Sequence, residues 1–293
     1  MSERGDSTFP GGIPFQVRRL IEMALEEDLA GGDPTTDALI PDQEQGRAEA
    51  VVQAPGVLAG AWVFAQVFTS LDPSLRAELL IVDGSHVVPA EKVAWVSGSL
   101  ASILKAERVA LNFLQRMSGI ATDTARYVGA VGGLPVRVVD TRKTAPGMRW
   151  LDKYAVRMGG GFNHRLALSD GILVKDNHLA VVRARGEAFK TVVARLRDRA
   201  SHLLRIQVEV ETPEEAIEAV EAGADALLLD QMSLQQMQEV VRRYKGRVLI
   251  EASGGMTLET VRQVAETGVD LISVGALTHS PRALDIHLDI RSA

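Results

Sequence analysis

From residue 206 onward the chain repeats one pattern: an apolar strand-like run, a helix-like segment, then another strand. The runs IQVEV, ALLLD, RVLIEAS and DLISVGA begin near 206, 226, 247 and 270, a spacing of roughly one βα unit. Strands joined by helical crossovers lie parallel, so this stretch is committed to a parallel sheet covered by helices. The boundaries agree. Thr212-Pro213-Glu214-Glu215 supplies an N-cap, a proline at the first helical position and acidic residues behind it, and Gly223 ends that helix. Ser233 and Gln236 form a capping-box pattern before a helix from 234, a further helix is predicted from 258, and Gly246 and Gly268 close these two.

Two earlier runs, VRVV at 136–139 and GILV at 171–174, extend the series to at least six strands. A series of this kind favours a barrel-like sheet over a doubly wound one. Residues 47–98 read differently, as short strands between Gly and Pro turns with a helix near 62–70, which predicts a separate α+β domain. Between them, SILKAERVALNFLQRMSGIATDTARYV is a long helix. Ala110, Phe113, Leu114, Met117 and Ala121 share one face, and Arg108, Asn112 and Gln115 the opposite one, where solvent exposure is the default expectation.

Composition narrows the function. The 293 residues are 46% hydrophobic, enough for one large domain or two smaller ones. A net charge of -6 argues against a global nucleic-acid field, so any anion site is local. Without cysteine there is no disulfide, no thiolate nucleophile and no cysteine-held metal. No run approaches the roughly 20 apolar residues of a membrane span, and MSERGDSTFPGGIP lacks a signal-type apolar stretch. A cytoplasmic protein is expected, with residues 1–15 a flexible tail.

In parallel α/β sheets, sites form at the carboxyl ends of the strands. After VRVV come Asp140, Thr141, Arg142, Lys143 and Thr144, and after GILV comes Lys175. His164 and Arg165 follow the glycines 159–161. The stretch from Arg137 to Lys175 holds eight Arg or Lys against three Asp, although the chain is acidic overall. A solvated basic surface would explain that, but cations converging at strand ends also suit a small ligand with several carboxylates or phosphates. Glu209 lies inside a strand, where a carboxylate is costly unless it is paired or metal-bound, and ALLL ends in Asp230. Two carboxylates from neighbouring strand ends suit Mg²⁺, which fills its remaining positions with water and phosphate oxygens. Ser253, Gly254, Gly255 and Gly275 close the last strands, where barrels place phosphate sites.

The segments EDLAGGDPTTDAL, ERVALNFLQRMSGIAT, DTRKTAPGMR, GGGFNHRLALSDGILVKDNHL, VEVET, LLLD, EASGG and SVGALTHS, in this order, resemble the quinolinate phosphoribosyltransferase family. The likeness runs from about residue 16 to 288. It implies conversion of quinolinate and 5-phosphoribosyl 1-pyrophosphate to nicotinate mononucleotide, pyrophosphate and CO₂, with Mg²⁺, in NAD biosynthesis. It implies an N-terminal α/β sandwich domain (16–118), an open, incomplete α/β barrel with parallel strands (119–280) and a C-terminal segment (281–293) packing back on the first domain. By motif it implies substrate contacts from Thr141 and from the cations Arg142, Lys143, His164, Arg165 and Lys175, with Lys143, Glu209 and Asp230 catalytic. Glu209 and Asp230 would also bind the metal and the sugar pyrophosphate, and Ser253, Gly254, Gly255 and Gly275 the 5-phosphate. A homodimer is implied, with Arg108 reaching the partner's site, which replaces the solvent expectation for Arg108 and leaves it for Gln115. Two other enzyme readings fit the residues alone: a phosphoribosyltransferase for another pyridine base, and a barrel lyase using Lys143 or Lys175 as a Schiff base.

Overall fold

The computed structural model describes residues 13–292; the expected tail lies outside them as far as residue 12. In chain order the first elements are α1 (Phe15–Leu29), α2 (Pro34–Leu39), β1 (Gln45–Val52), β2 (Gly56–Val57), α3 (Ala61–Leu71), β3 (Arg76–Leu79), β4 (His86–Val87), β5 (Lys92–Ser99) and α4 (Leu100–Ala130). Then follow β6 (Arg137–Val139), α5 (Arg149–Met158), β7 (Ile172–Val174), α6 (Asp176–Ala184), α7 (Phe189–Arg199), β8 (Ile206–Val210) and α8 (Pro213–Glu221). The last are β9 (Ala226–Asp230), α9 (Leu234–Tyr244), β10 (Leu249–Ser253), α10 (Val261–Glu266), β11 (Leu271–Ser273), α11 (Ala276–His279) and β12 (Ile286–Ser292). Phe15, assigned to the tail, is already helical.

Contacts divide the chain into two compact units. The first takes residues up to Ala125, then Thr144–Gly160 and the end from Ser280. Its sheet is antiparallel in the order β12-β1-β5-β3, beside a β2-β4 ribbon. The C-terminal strand β12 pairs with β1 along its length, from Gly46↔Ser292 to Val52↔Ile286. Its core gathers Phe64, Val67 and Phe68 of α3 with Val17 and Ile21 of α1, all at most 1% exposed. On α4, Ala110, Phe113, Leu114, Met117 and Ala121 are buried as their spacing predicts, and Arg108 and Asn112 are exposed. Gln115 departs from its solvent expectation: it is half-buried and donates from Nε2 to the Ile286 carbonyl at 2.6 Å.

The stretch 144–160, expected in the barrel, belongs to the first unit, and buried polar contacts explain why. Asp152, with no exposed surface, accepts both Nε (3.0 Å) and Nη2 (2.9 Å) of Arg116 on α4. The Tyr154 hydroxyl donates to Asp83 at 2.8 Å. Asp83 also accepts the Gly60 and Ala61 N–H groups at the start of α3, and burial pushes its carboxyl up despite those bonds. Gly159 completes the fit, since a β-carbon there would stand 2.3 Å from the Ala121 carbonyl oxygen of α4.

The second unit, Arg126–Lys143 with Gly161–His279, holds a parallel sheet in the order β6-β11-β10-β9-β8-β7. From β7 to β11 each strand neighbours its predecessor, and β6 then pairs with β11. Placing the first strand beside the last is the ordering of a barrel, whereas a doubly wound sheet reverses direction midway. Among the described residues β6 and β7 do not pair, so the barrel is open there. The expected caps are present: Thr212 accepts from Glu215 N–H, and Ser233 and Gln236 cap one another. Gly223, Gly246 and Gly268 close their helices at φ +97°, +80° and +92°. One helix starts late, α10 at Val261 rather than 258, after a turn in which Thr257 N–H donates to Thr260 Oγ1.

Candidate active site

Alternation along the strands selects the inward side chains. In β8, Ile206, Val208 and Val210 are buried while Gln207 and Glu209 share the other face. The register places Glu209 opposite Leu228, Leu228 opposite Glu251, and Asp230 opposite Ser253. Strands β8, β9 and β10 therefore deliver Glu209, Asp230, Glu251 and Ser253 to the same side of the sheet toward its carboxyl end.

Those ends enclose a cavity of about 210 Å³. Nine residues anticipated from the sequence line it: Thr141, Arg142, Lys143, His164, Arg165, Lys175, Glu209, Asp230 and Ser253. Leu173, Leu228, Glu251 and Ser273 complete the wall. Thr141 Oγ1 accepts the Lys143 N–H at 3.0 Å, and the Lys143 carbonyl accepts Thr278 Oγ1 at 2.8 Å, which fixes the turn after β6. Arg165 donates from Nη1 to the Gly171 carbonyl at 2.8 Å.

The charges are arranged under strain. Burial lowers the Arg165 guanidinium pKa, and the neighbouring Arg142 charge lowers it further. Burial likewise raises the Glu209 carboxyl; Lys175 opposes the rise, and Asp230 and Asp176 add to it. Arg142 and Arg165 repel one another, as do Glu209 and Asp230, and each pair is better satisfied by a ligand of opposite charge.

His164 accepts the Arg165 N–H on Nδ1 at 2.7 Å, which leaves Nε2 as the ring nitrogen facing the cavity wall at Glu251. Its own N–H donates to Asp140 Oδ1 at 2.8 Å, and Asp140 Oδ2 accepts Asn163 Nδ2 at 2.6 Å. The Asp of DTRK, wholly buried, thus ties the loop of His164 and Arg165 to the turn carrying Arg142 and Lys143.

Gly254, Gly255 and Gly275 are absent from the lining of this cavity. Gly254 (φ +90°) packs so closely that a β-carbon would meet Gln231 Cγ at 2.7 Å and Asp230 Oδ1 at 3.0 Å. Gly254 and Gly255 instead line a neighbouring hollow with Gln231, Ser233 and Thr260. Gly275 gives room to Lys143, whose Cδ would lie 3.1 Å from a β-carbon there. Arg108 lies in the first unit, beside Glu27, Asp28 and Arg116, and does not line the cavity.

Sequence reasoning missed Glu251, which is 1% exposed, accepts Gln207 Nε2 at 2.7 Å and lies 3.4 Å from His164 Nε2. Its Oε1 has no hydrogen-bond partner among the described residues. An orphaned buried acceptor costs about 1–3 kcal/mol, which marks the position as more than filler. The signal was legible: RVLIEAS places an acid inside a buried strand just as IQVEV does.

Known proteins resemble the chain along most of its length. Residues 120–289 match the model of the quinolinate phosphoribosyl transferase C-terminal domain, and residues 33–118 that of the N-terminal domain. The chain is 40% identical over 276 residues to a probable nicotinate-nucleotide pyrophosphorylase [carboxylating] of Bacillus subtilis, covering 94% of each chain. A protein of the same description from Synechocystis is 42% identical over 274 residues, 92% of this chain and 91% of its own. The crystal structure of NadC from Streptococcus pyogenes superposes with a TM-score of 0.90 at 39% identity, covering 96% of this chain and 98% of that one. With both domain models matched in order and relatives aligned nearly end to end, the chain belongs to the quinolinate phosphoribosyltransferase family.

Proposed function

We propose that this cavity transfers the phosphoribosyl group of 5-phosphoribosyl 1-pyrophosphate to quinolinate and releases CO₂, giving nicotinate mononucleotide and pyrophosphate for NAD biosynthesis. The observation that carries the reading is one cavity lined by the cations Arg142, Lys143, Arg165 and Lys175 together with the carboxylates Glu209 and Asp230. A pyridine dicarboxylate needs several cations to offset lost hydration, and the Arg142–Arg165 repulsion is relieved when such an anion lies between them. A base with one carboxylate would leave part of that charge uncompensated.

In the first step the ring nitrogen forms a bond to C1 of the ribose as the C1–O bond to pyrophosphate breaks and its electron pair departs with the leaving group. The transition state carries oxocarbenium charge, which a carboxylate such as Glu209 or Asp230 stabilises. In the second step the bond between the ring and the adjacent carboxylate breaks. Its electron pair stays on the ring carbon beside the new pyridinium nitrogen, and a proton from solvent replaces CO₂. Lys143 and Arg142 hold the dicarboxylate and offset developing negative charge.

Glu209 and Asp230 fit Mg²⁺. Burial raises the Glu209 carboxyl and the Asp230 charge adds to the rise, and a divalent cation would offset that added repulsion. Among the described residues no cluster of three or more His, Asp or Glu side chains forms a cage, which suits an ion that keeps water and phosphate oxygens as ligands. Bound there, it would take up charge on the departing pyrophosphate.

A homodimer belongs to this proposal, with the exposed Arg108 of one subunit completing the other's cavity. So does a cytoplasmic location, checked by cell fractionation; no described helix is long and apolar enough to cross a membrane. The deciding experiment supplies the sugar pyrophosphate and Mg²⁺ with either quinolinate or nicotinate. Equimolar CO₂ and nicotinate mononucleotide from quinolinate are expected, and preferred use of nicotinate would overturn the assignment. Borohydride with candidate carbonyl substrates should trap no adduct on Lys143 or Lys175.

A further inference from the structure

Glu251 is not explained by the chemistry above. We propose that Glu251 is a positioning residue, which holds the ring of His164 in orientation for the acceptor substrate; the idea rests on the reading of the site just given. The Arg165 N–H fills Nδ1 at 2.7 Å, so the ring has one donor, Nε2–H, and Glu251 Oε2 lies 3.4 Å from it. That separation is long for a full hydrogen bond, so Glu251 orients the donor rather than consuming it. The carboxylate is itself pinned, since the same Oε2 accepts Gln207 Nε2 at 2.7 Å. Asp140 holds the backbone N–H of His164 from the opposite end at 2.8 Å. Ring and backbone are thereby set before any ligand arrives, and the adjoining Arg165 is set with them through its bond to the Gly171 carbonyl.

The geometry separates charge from shape. Both contacts use Oε2, while Oε1 has no partner among the described residues, so positioning requires one oxygen. An amide supplies that oxygen and an alkyl group does not. Glu251→Gln therefore keeps the ring oriented, and Glu251→Leu releases it.

The test uses the full chain, steady-state kinetics in both substrates, and ¹⁵N NMR of the imidazole nitrogens without substrate. For Glu251→Leu, the KM for quinolinate is expected to rise about tenfold or more, while that for the sugar pyrophosphate stays within about twofold. The His164 imidazole signals should shift and broaden as the ring gains freedom to reorient. Glu251→Gln should restore both readouts. A folded Leu variant with unchanged quinolinate KM and imidazole signals would falsify the proposal, and so would a Gln variant as impaired as Leu. Should the Leu variant not fold, Gln207→Leu removes only the donor that pins the carboxylate: a rise of about threefold or more in quinolinate KM is expected, and no rise refutes positioning. Absence of CO₂ release by the unmodified chain would instead count against the reading of the site, because the NMR pattern is measured without turnover.

Discussion

Lys143 lies across Gly275, and its carbonyl is held by Thr278, so its ammonium enters the cavity from a supported stem. A lysine placed this firmly makes its loss informative. Lys143→Ala is expected to lower kcat/KM for quinolinate by more than tenfold, about 1.4 kcal/mol of activation free energy, measured with both substrates varied. Glu209 yields a second prediction. Its carboxyl titrates above the ordinary glutamate value of 4.5 through burial, opposed by Lys175 and aided by Asp230. The folded state thus binds this proton more tightly than the unfolded chain, so its contribution to stability is present at low pH and is lost as pH rises from 4.5 through the raised value. Asp230→Asn removes one repulsive charge, and the Glu209 midpoint, followed by ¹³C NMR of labelled carboxyls, should move down. At this scale the sequence showed which charges converge, because strand ends are identifiable from periodicity. It did not show that His164 Nδ1 is occupied, since that depends on the next residue's N–H folding back onto it.

Elements were legible where local chemistry decides them. The caps at Thr212 and Ser233 and the glycine stops after α8, α9 and α10 needed only neighbours in sequence. They were less legible where distant partners decide. The turn before α10 is a local exception: Thr257 N–H donates to Thr260 Oγ1, and the helix starts only at Val261. The destination of α5 rests on Arg116 and Asp83, 36 and 71 residues from their partners, a separation no periodicity reveals. The glycine pair after β10 was anticipated as a phosphate cradle, yet Gly254 is required first by the close approach of β9. Gly254→Ala should push Gln231 and Asp230 aside and leave the first unit untouched. An apparent Mg²⁺ affinity weakened about tenfold, in a protein with an unchanged far-UV spectrum, is the expected result. Unchanged Mg²⁺ dependence would show that the packing is not transmitted to Asp230.

For the molecule as a whole, the exposure of Arg108 and its absence from the cavity lining make subunit sharing testable. Arg108→Ala and Lys143→Ala should each be nearly inactive alone. Mixed after dissociation and reassociation, they should recover about a quarter of native activity, because half the dimers are hybrids with one intact site. No recovery would mean that Arg108 serves its own chain.

The route of the chain sets a different kind of limit. It passes between its two compact units four times, after Ala125, Lys143, Gly160 and His279. No single cut therefore yields two fragments that each hold a whole unit. A gene divided at residue 118, where the N-terminal family match ends, would strip the first piece of α5 and of β12, the edge strand of its sheet. Neither unit is therefore a continuous stretch of chain that could be excised whole.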